Sequence, residues 1–332
     1  MKLNLCFLGG LLFIITLITG CQTNTLELQE NDFIEEEIGA YAFGPVVENI
    51  SLDELFQFEY NGDEVRIHYY VQGWSRGIIS EFGWLLFVDG VIQPTRLETL
   101  EGEPFRDAAY MHEFGLNFEE KIEFYVVFTP VSGTIGQEVG VIGATILRPN
   151  FMPESIDRPY FQIFHSLSAT LPAELSINSN IGNHFSVYRD INFIDIPYEV
   201  LIELMDITGI PETDEIVEIL EEHLFFYLIG NREHQSIVYA ENGNINFQLR
   251  ILGGQEVSNR VTIFINHKPV LINGSDFIEL TMEQGKMANI QIEIDIDTLE
   301  DFNSIYAIVM TTGDDYHIQD IFKTRTLLLI NE

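Results

Sequence analysis

The stretch GWLLFVDGVIQPTRL, residues 83 to 97, joins two apolar runs through the dipeptide Asp89-Gly90. Aspartate followed by glycine readily adopts the two positive φ angles of a tight turn, and between apolar runs it is a strong hairpin signal. The stretch therefore predicts two antiparallel strands joined by a short turn. Similar segments lie on either side of it, and they extend the prediction to the rest of the chain.

Alternating apolar and polar residues flank this hairpin. They run from Val65 to Val71 and again from Ile122 to Phe128, and the apolar run 139–147 follows. A period of two is typical of a strand with one buried face. Three prolines between residues 149 and 159 then interrupt the pattern. Because no helical pattern lies between these strands, residues 41–152 are predicted to form an antiparallel β-sandwich.

The C-terminal half repeats this plan. Residues 245–251 and 290–296 alternate, and the apolar run 261–265 leads into a turn at 266–269 that corresponds to Asp89-Gly90. The run 305–310 matches residues 124–129, because each precedes a glycine-containing turn and a last strand. The repetition predicts a mainly β fold of two tandem antiparallel β-sandwich domains of the Ig-like kind, at residues 41–152 and 153–332.

The segment from about 160 to 242 is the least regular part. Apolar residues recur at helical spacing over 199–206, just after Pro197, and residues 213–222 extend the helical pattern. Residues 224–229 return to a strand pattern. We assign the segment to the second domain, as an N-terminal elaboration containing a little helix.

The N-terminus carries a targeting signal. Lys2 precedes an apolar run, residues 5–18, that is short for a membrane span. It ends in Leu17-Ile18-Thr19-Gly20-Cys21, which resembles the lipobox of bacterial lipoproteins. The resemblance implies that residues 1–20 are a signal peptide, that Cys21 carries diacylglycerol, and that the protein is anchored outside the cytoplasm. The alternatives are a cleaved secretory peptide, which lacks its A-x-A site here, and an uncleaved helix.

Charge and cysteine content limit the partners. The formal net charge is −36, so binding to nucleic acid or to anionic headgroups is not expected. This acidity suits solubility or life at high salt or high pH, and the alternative is attraction for cations or basic partners. Residues 21–40 are rich in acids without a basic residue and predict an extended tether. Removing Cys6 and lipidating Cys21 leaves no cysteine for a disulfide.

One motif suggests catalysis, and we interpret it otherwise. Residues 73–77 match G-x-S-x-G, but the nucleophile elbow needs a strand followed by a helix, whereas residues 78–88 are predicted as a strand. We therefore expect a glycine-containing loop in which Ser75 is not a nucleophile, and we predict no enzyme. Trp74 in this loop is a candidate ligand contact, since an exposed indole can stack on a sugar.

Metal and cofactor signals are weak. The histidines show no paired ligand spacing, and no phosphate-binding or dinucleotide fingerprint occurs, so no transition metal and no cofactor are predicted. Two acidic clusters, around Asp295 and Asp297 and around Asp314 and Asp315, offer oxygen ligands of the type calcium takes. Neither has the EF-hand spacing, so a calcium site is unsupported by the sequence.

The lipobox together with the hairpin Phe87-Val88-Asp89-Gly90 and Gln93-Pro94 resembles uncharacterised surface lipoproteins of Gram-positive bacteria. The resemblance implies attachment to the outer face of the cell membrane and no assigned activity. We therefore expect a non-catalytic binding or scaffold module for an unknown surface or cell-wall ligand. The alternative is a solute- or carbohydrate-binding lipoprotein associated with a transporter or the cell wall, although α/β lobes would need alternating strand and helix patterns.

Overall fold

The computed structural model describes residues 41–46, 57–73, 80–161, 165–170, 173–182, 185–208, 210, 213–222, 224–231, 236–253, 257–312 and 321–332. The predicted signal peptide, the tether, Cys21, Trp74 and Ser75 lie outside these residues. Strands dominate the described chain, which confirms the mainly β, sandwich-type fold class. Within this part of the chain, no helix has the length and apolarity needed to cross a bilayer.

The first sandwich consists of two sheets. Its strands are β1 Tyr41–Pro45, β2 Gln57–Tyr60, β3 Val65–Gly73, β4 Ser80–Val88, β5 Val91–Ile92, β6 Thr95–Glu98, β7 Pro104–Ala109, β8 Met111–Leu116, β9 Lys121–Phe128, β10 Glu138–Leu147, β11 Leu167–Ala169 and β12 Ala173–Ile177. One sheet has the order β1-β3-β9-β6-β7. The other has the order β2-β12-β10-β4-β5, with β8 on β4 and β11 on β10.

The alternation predicted for β3 is confirmed. Val65, Ile67, Tyr69 and Val71 are all buried in the core between the two sheets, whereas Arg66 is exposed. Trp84 projects into the same core from β4, and its ring lies 5.2 Å from that of Tyr69 in an edge-on arrangement. Each large apolar side chain buried in this way contributes about 1.5–3 kcal/mol to the stability of the sandwich.

The second sandwich is formed by one continuous hydrogen-bonded sheet that folds back on itself. Its elements are β13 Val187–Tyr188, β14 Phe193–Asp195, α1 Tyr198–Thr208, α2 Thr213–Glu222, β15 Leu224–Ile229, β16 Ile237–Glu241, β17 Asn244–Gly253, β18 Ser258–Ile265, β19 Lys268–Pro269, β20 Phe277–Thr281, β21 Lys286–Asp295, β22 Phe302–Thr312, β23 Ile321–Lys323 and β24 Leu327–Asn331. The order is β13-β20-β18-β22-β24-β16-β17-β21-β14. Residues of β17 and β21 share one core with residues of β18 and β22, so the two ends of this order form two layers.

The two sandwiches repeat a hairpin but not every predicted match. Asp89-Gly90 has φ angles of 50° and 72°, and Asn266-His267 has 46° and 62°, so both turns use the left-handed region twice. The match of residues 305–310 with 124–129 is wrong. Residues 305–310 lie in β22, which pairs with β18, the first strand of the second hairpin. In the first sandwich the corresponding partner of the hairpin strand β4 is β10. Residues 124–128 lie instead in β9, which pairs with β3. The spacing between apolar runs along the sequence does not show whether a run corresponds to β9 or to β10, because both strands are apolar.

The segment 160–242 divides between the sandwiches. Although they follow residue 152, β11 and β12 both pair with β10 of the first sandwich. The remaining elements of the segment adjoin the second sandwich, including the two helices that the sequence predicts. Both helices turn an i, i+4 apolar pair inward, Val200 with Leu204 and Ile216 with Leu220, against Leu252 of β17. The limits of independent folding stay a prediction.

Candidate binding site at the junction of the two sandwiches

The sandwiches meet through a second face of their central strands. Leu85 and Phe87 of β4 pack with Phe264 of β18 and with Tyr306 and Ile308 of β22, all at most 1% exposed. Side chains of a strand alternate between faces, so an apolar run without alternation indicates a strand buried on both sides. The runs in β4, β18 and β22 are of this kind. That signal was present in the sequence, and it locates the junction.

An ion pair crosses the same junction. Arg260 of β18 donates from Nη1 to Oδ2 of Asp89 at 2.6 Å and to the Ser132 hydroxyl at 3.3 Å. It also donates to the main-chain oxygen of Asp89. Asp89 therefore does two things: its residue type permits the positive φ of the turn, and its carboxylate binds a partly buried guanidinium of the other sandwich.

His267, in the second hairpin turn, is locked as a neutral ring. Its Nε2 lies 2.6 Å from the carbonyl oxygen of Pro149, which can only accept, so Nε2 carries the proton. Nδ1 then accepts a hydrogen bond from the Tyr306 hydroxyl at 3.0 Å. Burial, reinforced by the positive charge of Lys323, lowers the pKa of His267 to about 4, against a smaller opposing effect of the Pro149 carbonyl.

Lys323, at the end of β23, turns its amine inward. Part of the residue is exposed, but Nζ donates to the Thr326 hydroxyl at 2.6 Å and to the Thr324 carbonyl at 3.1 Å. Nζ also lies 4.4 Å from the centre of the Tyr306 ring, whose own pKa is raised by burial. Desolvation lowers the pKa of Lys323 to about 7, so the amine carries a proton on only part of the molecules at neutral pH.

His165 completes this group of ionisable side chains. It is 1% exposed, and its ring centre lies 4.9 Å from that of His267 and 4.7 Å from that of Phe161. Neither ring nitrogen has a hydrogen bond of good geometry among the described residues, although the main-chain groups of Phe151 and Pro149 lie close by. Burial, followed by the positive charges of protonated His267 and of Lys323, lowers the pKa of His165 to about 3, while these main-chain groups oppose the shift. A buried donor left unpaired costs about 1–3 kcal/mol, so this ring is held in an unfavourable setting.

A cavity of about 410 Å³ opens beside these residues, between β11 and β23. Its lining includes His165, Ser166, Lys323, Arg325 and Thr326, and no acidic side chain among the described residues. Two further concavities have the opposite character. One of about 610 Å³ is lined by acids such as Glu113, Glu300 and Asp301, and one of about 430 Å³ by Glu293 and Asp295.

The residues predicted from sequence lie elsewhere. Trp74 and the second acidic cluster, Asp314 and Asp315, are outside the described residues. Asp295 and Asp297 are both exposed, and the described residues contain no group of three or more acidic, histidine or cysteine side chains placed to hold a metal ion. Sequence reasoning missed His165, His267 and Lys323. Only the lysine carried a signal, as a charged residue directly after Ile321 and Phe322 in a strand pattern.

Comparison with known proteins adds no identity. No protein-family model and no curated protein matches the sequence. Similar solved structures include fibronectin(III)-like modules of CbhA from Clostridium thermocellum, 8% identical, TM-score 0.20, covering 88% of this chain and 93% of that one. Spo0M, a sporulation control protein from Bacillus subtilis, is 14% identical, with a TM-score of 0.21 and coverage of 87% and 90%. A Porphyromonas gingivalis protein of unknown function is 11% identical, with a TM-score of 0.22 and coverage of 88% and 99%.

Proposed function

We propose that this protein is a non-catalytic binding or scaffold module, displayed outside a Gram-positive cell by lipid on Cys21. The observation that carries the proposal is the apolar junction, in which Leu85 and Phe87 of one sandwich pack against Phe264 and Tyr306 of the other. Phe264 and Tyr306 stack with ring centres 5.2 Å apart. A junction packed like a core favours a fixed relative orientation of two sandwiches, which suits the presentation of loops and clefts to a partner.

The second candidate is a lipoprotein that binds a small solute or a carbohydrate. The cavities favour it, because volumes of about 410 Å³ and 610 Å³ fall within the range of about 300–1,000 Å³ that ligand pockets occupy. The two candidates differ in the size of the partner. A scaffold would capture a macromolecule of the surface or the cell wall, whereas a solute-binding protein would be saturated by a small molecule.

Display is tested in a Gram-positive host that expresses the full chain and its Cys21→Ala variant. We expect the parent chain to incorporate labelled fatty acid and to be degraded by protease added to intact cells. Cys21→Ala should lose the label. Retention of the label by the variant, or protection of the parent chain from external protease, would refute the lipoprotein proposal.

Binding is tested on the same cells with a photo-reactive residue introduced at one of two exposed positions, Glu113 at the 610 Å³ cleft or Glu101 in a turn away from it. We expect one surface or cell-wall component to be captured repeatedly at position 113 and not at position 101. Equal capture at both positions, or capture at neither, would contradict a binding role for this cleft. A small solute that suppresses the crosslink would favour the second candidate.

A further inference from the structure

Several side chains that line the cavity between β11 and β23 have donor protons that are not used in hydrogen bonds with described residues. Lys323 Nζ uses two of its three protons on Thr324 and Thr326. The Thr326 hydroxyl accepts one of those bonds, which leaves its own proton to donate. His165 lines the same cavity without a hydrogen bond of good geometry to a described residue, and a neutral imidazole always carries one N–H.

The cavity also has two cationic side chains in its lining, Lys323 and Arg325. The chain has 52 acidic residues and 16 lysines and arginines. No carboxylate of a described residue forms a salt bridge with Lys323 or with Arg325. The guanidinium of Arg325 lies 4.8 Å from the centre of the Tyr160 ring. Two cations therefore line one cavity without a salt bridge to any described carboxylate. Arg325 is exposed, but the amine of Lys323 is desolvated, and its charged form is unfavourable unless an anion is supplied.

We propose that the cavity between β11 and β23 binds the oxyanion group, carboxylate or phosphate, of a small solute, with Lys323, Arg325 and His165 as donors. An oxyanion has several lone pairs and a negative charge, and it would accept from the ammonium, the guanidinium and the imidazole N–H at once. It would also give His165 a hydrogen bond of good geometry, which no described residue provides. The site lies at the junction of the two sandwiches, since β11 belongs to the first and β23 to the second.

The proposal has a consequence for protons. Lys323 is only partly protonated at neutral pH, and a bound anion favours the ammonium form. Binding above pH 7 should therefore take up a proton, and the apparent affinity should fall by up to tenfold for each pH unit between the pKa of the free site and that of the bound site.

The test is isothermal titration of the purified full chain, in detergent and at constant ionic strength, with inorganic phosphate in one arm and acetate in the other. We expect saturable binding of at least one anion at pH 6.5 and weaker binding at pH 8.5. Arg325→Gln, at an exposed position, and Lys323→Met, of similar shape without charge, should each weaken it at least tenfold. Arg189→Gln is the matched control: it removes an exposed arginine of the second sandwich and should change affinity less than twofold.

Nuclear magnetic resonance of the imidazole nitrogens identifies the site. The resonances of His165 should shift with the same midpoint as the heat, while those of His112, buried against Thr95 in the first sandwich, should not. Absence of saturable binding, equal binding by all variants, or unmoved His165 resonances would overturn the proposal. The inference names a ligand class for the second candidate function, a solute-binding lipoprotein, and so rests on that candidate. Because the titration uses purified protein, a negative result would not contradict surface display. Likewise, a negative result in the display experiment would not contradict anion binding.

Discussion

Arg260 Nη1 lies 2.6 Å from Oδ2 of Asp89, across the junction between the two sandwiches and 171 positions along the chain. The side chains of both residues are largely buried, at 17% and 10% exposure. The bond connects β18 to the hairpin turn between β4 and β5, and all three strands contribute side chains to the apolar junction. Its effect on stability should therefore exceed that of an exposed ion pair.

Replacing Asp89 with asparagine should destabilise the protein by about 3 kcal/mol, because it leaves the Arg260 guanidinium buried without its counter-ion. Asparagine tolerates the positive φ of this position, so the turn itself should persist. Denaturant unfolding measures the change. The control is Glu279→Ala, which breaks the exposed pair of Arg189 and Glu279 and should cost less than about 1 kcal/mol. Equal losses in the two variants would contradict a special role for the junction pair.

Replacing Ile292 with aspartate should unfold the second sandwich, because Ile292 is fully buried in its core and an unpaired carboxylate there costs several kcal/mol. Gln291→Asp, on the exposed side of the same strand, is the matched control and should cost little. If the first sandwich folds independently, limited proteolysis of Ile292→Asp should leave a protected fragment. We expect it to extend past residue 177 and not to end near 152, since β11 and β12 pair with β10. Loss of both sandwiches together would show that they fold as one unit.

Replacing Lys323 with methionine should change how stability depends on pH. The folded-state pKa of Lys323 is about 7 and its ordinary value is 10.5, so between these values the unfolded chain binds more protons. Lys323 therefore makes stability rise with pH across this window, by up to about 1.4 kcal/mol per unit. The difference in unfolding free energy between parent and variant, measured from pH 7.5 to 9.5, isolates this contribution. A difference that does not vary with pH would show that the amine is not desolvated.

Replacing His165 with phenylalanine should leave stability unchanged or raise it, because an apolar ring removes a buried polar group that forms no hydrogen bond of good geometry with a described residue. The folded-state pKa of about 3 lies below the ordinary 6.5, so the stability of the parent protein is complete above pH 6.5 and falls with decreasing pH below it. The variant should lose part of this acid sensitivity, as measured by unfolding at pH 7 and pH 4.5. His112→Phe is the control: its ring bonds Thr95, so the same change should destabilise. A large loss in His165→Phe would mean that the ring has a partner.

The sequence by itself determined the local elements. Alternation at period two located β3, β9, β17 and β21, since it reports which face of a strand is buried, and Asp89-Gly90 predicted its hairpin, since few residues adopt two positive φ angles in succession. Helical spacing after Pro197 located α1 in the same way. These signals depend only on neighbouring residues, so they can be interpreted without the rest of the molecule.

Only the tertiary structure decided which strands pair and which side chains meet. The spacing of apolar runs suggested that β22 is the counterpart of β9, whereas the structure pairs β22 with β18. Spacing could not decide this, because several buried strands have similar lengths. His165, His267 and Lys323 come from three distant parts of the chain, and no local pattern connects them. They meet because β4 and β18 are apolar on both faces, and burial of the second face brings the two sandwiches together around them.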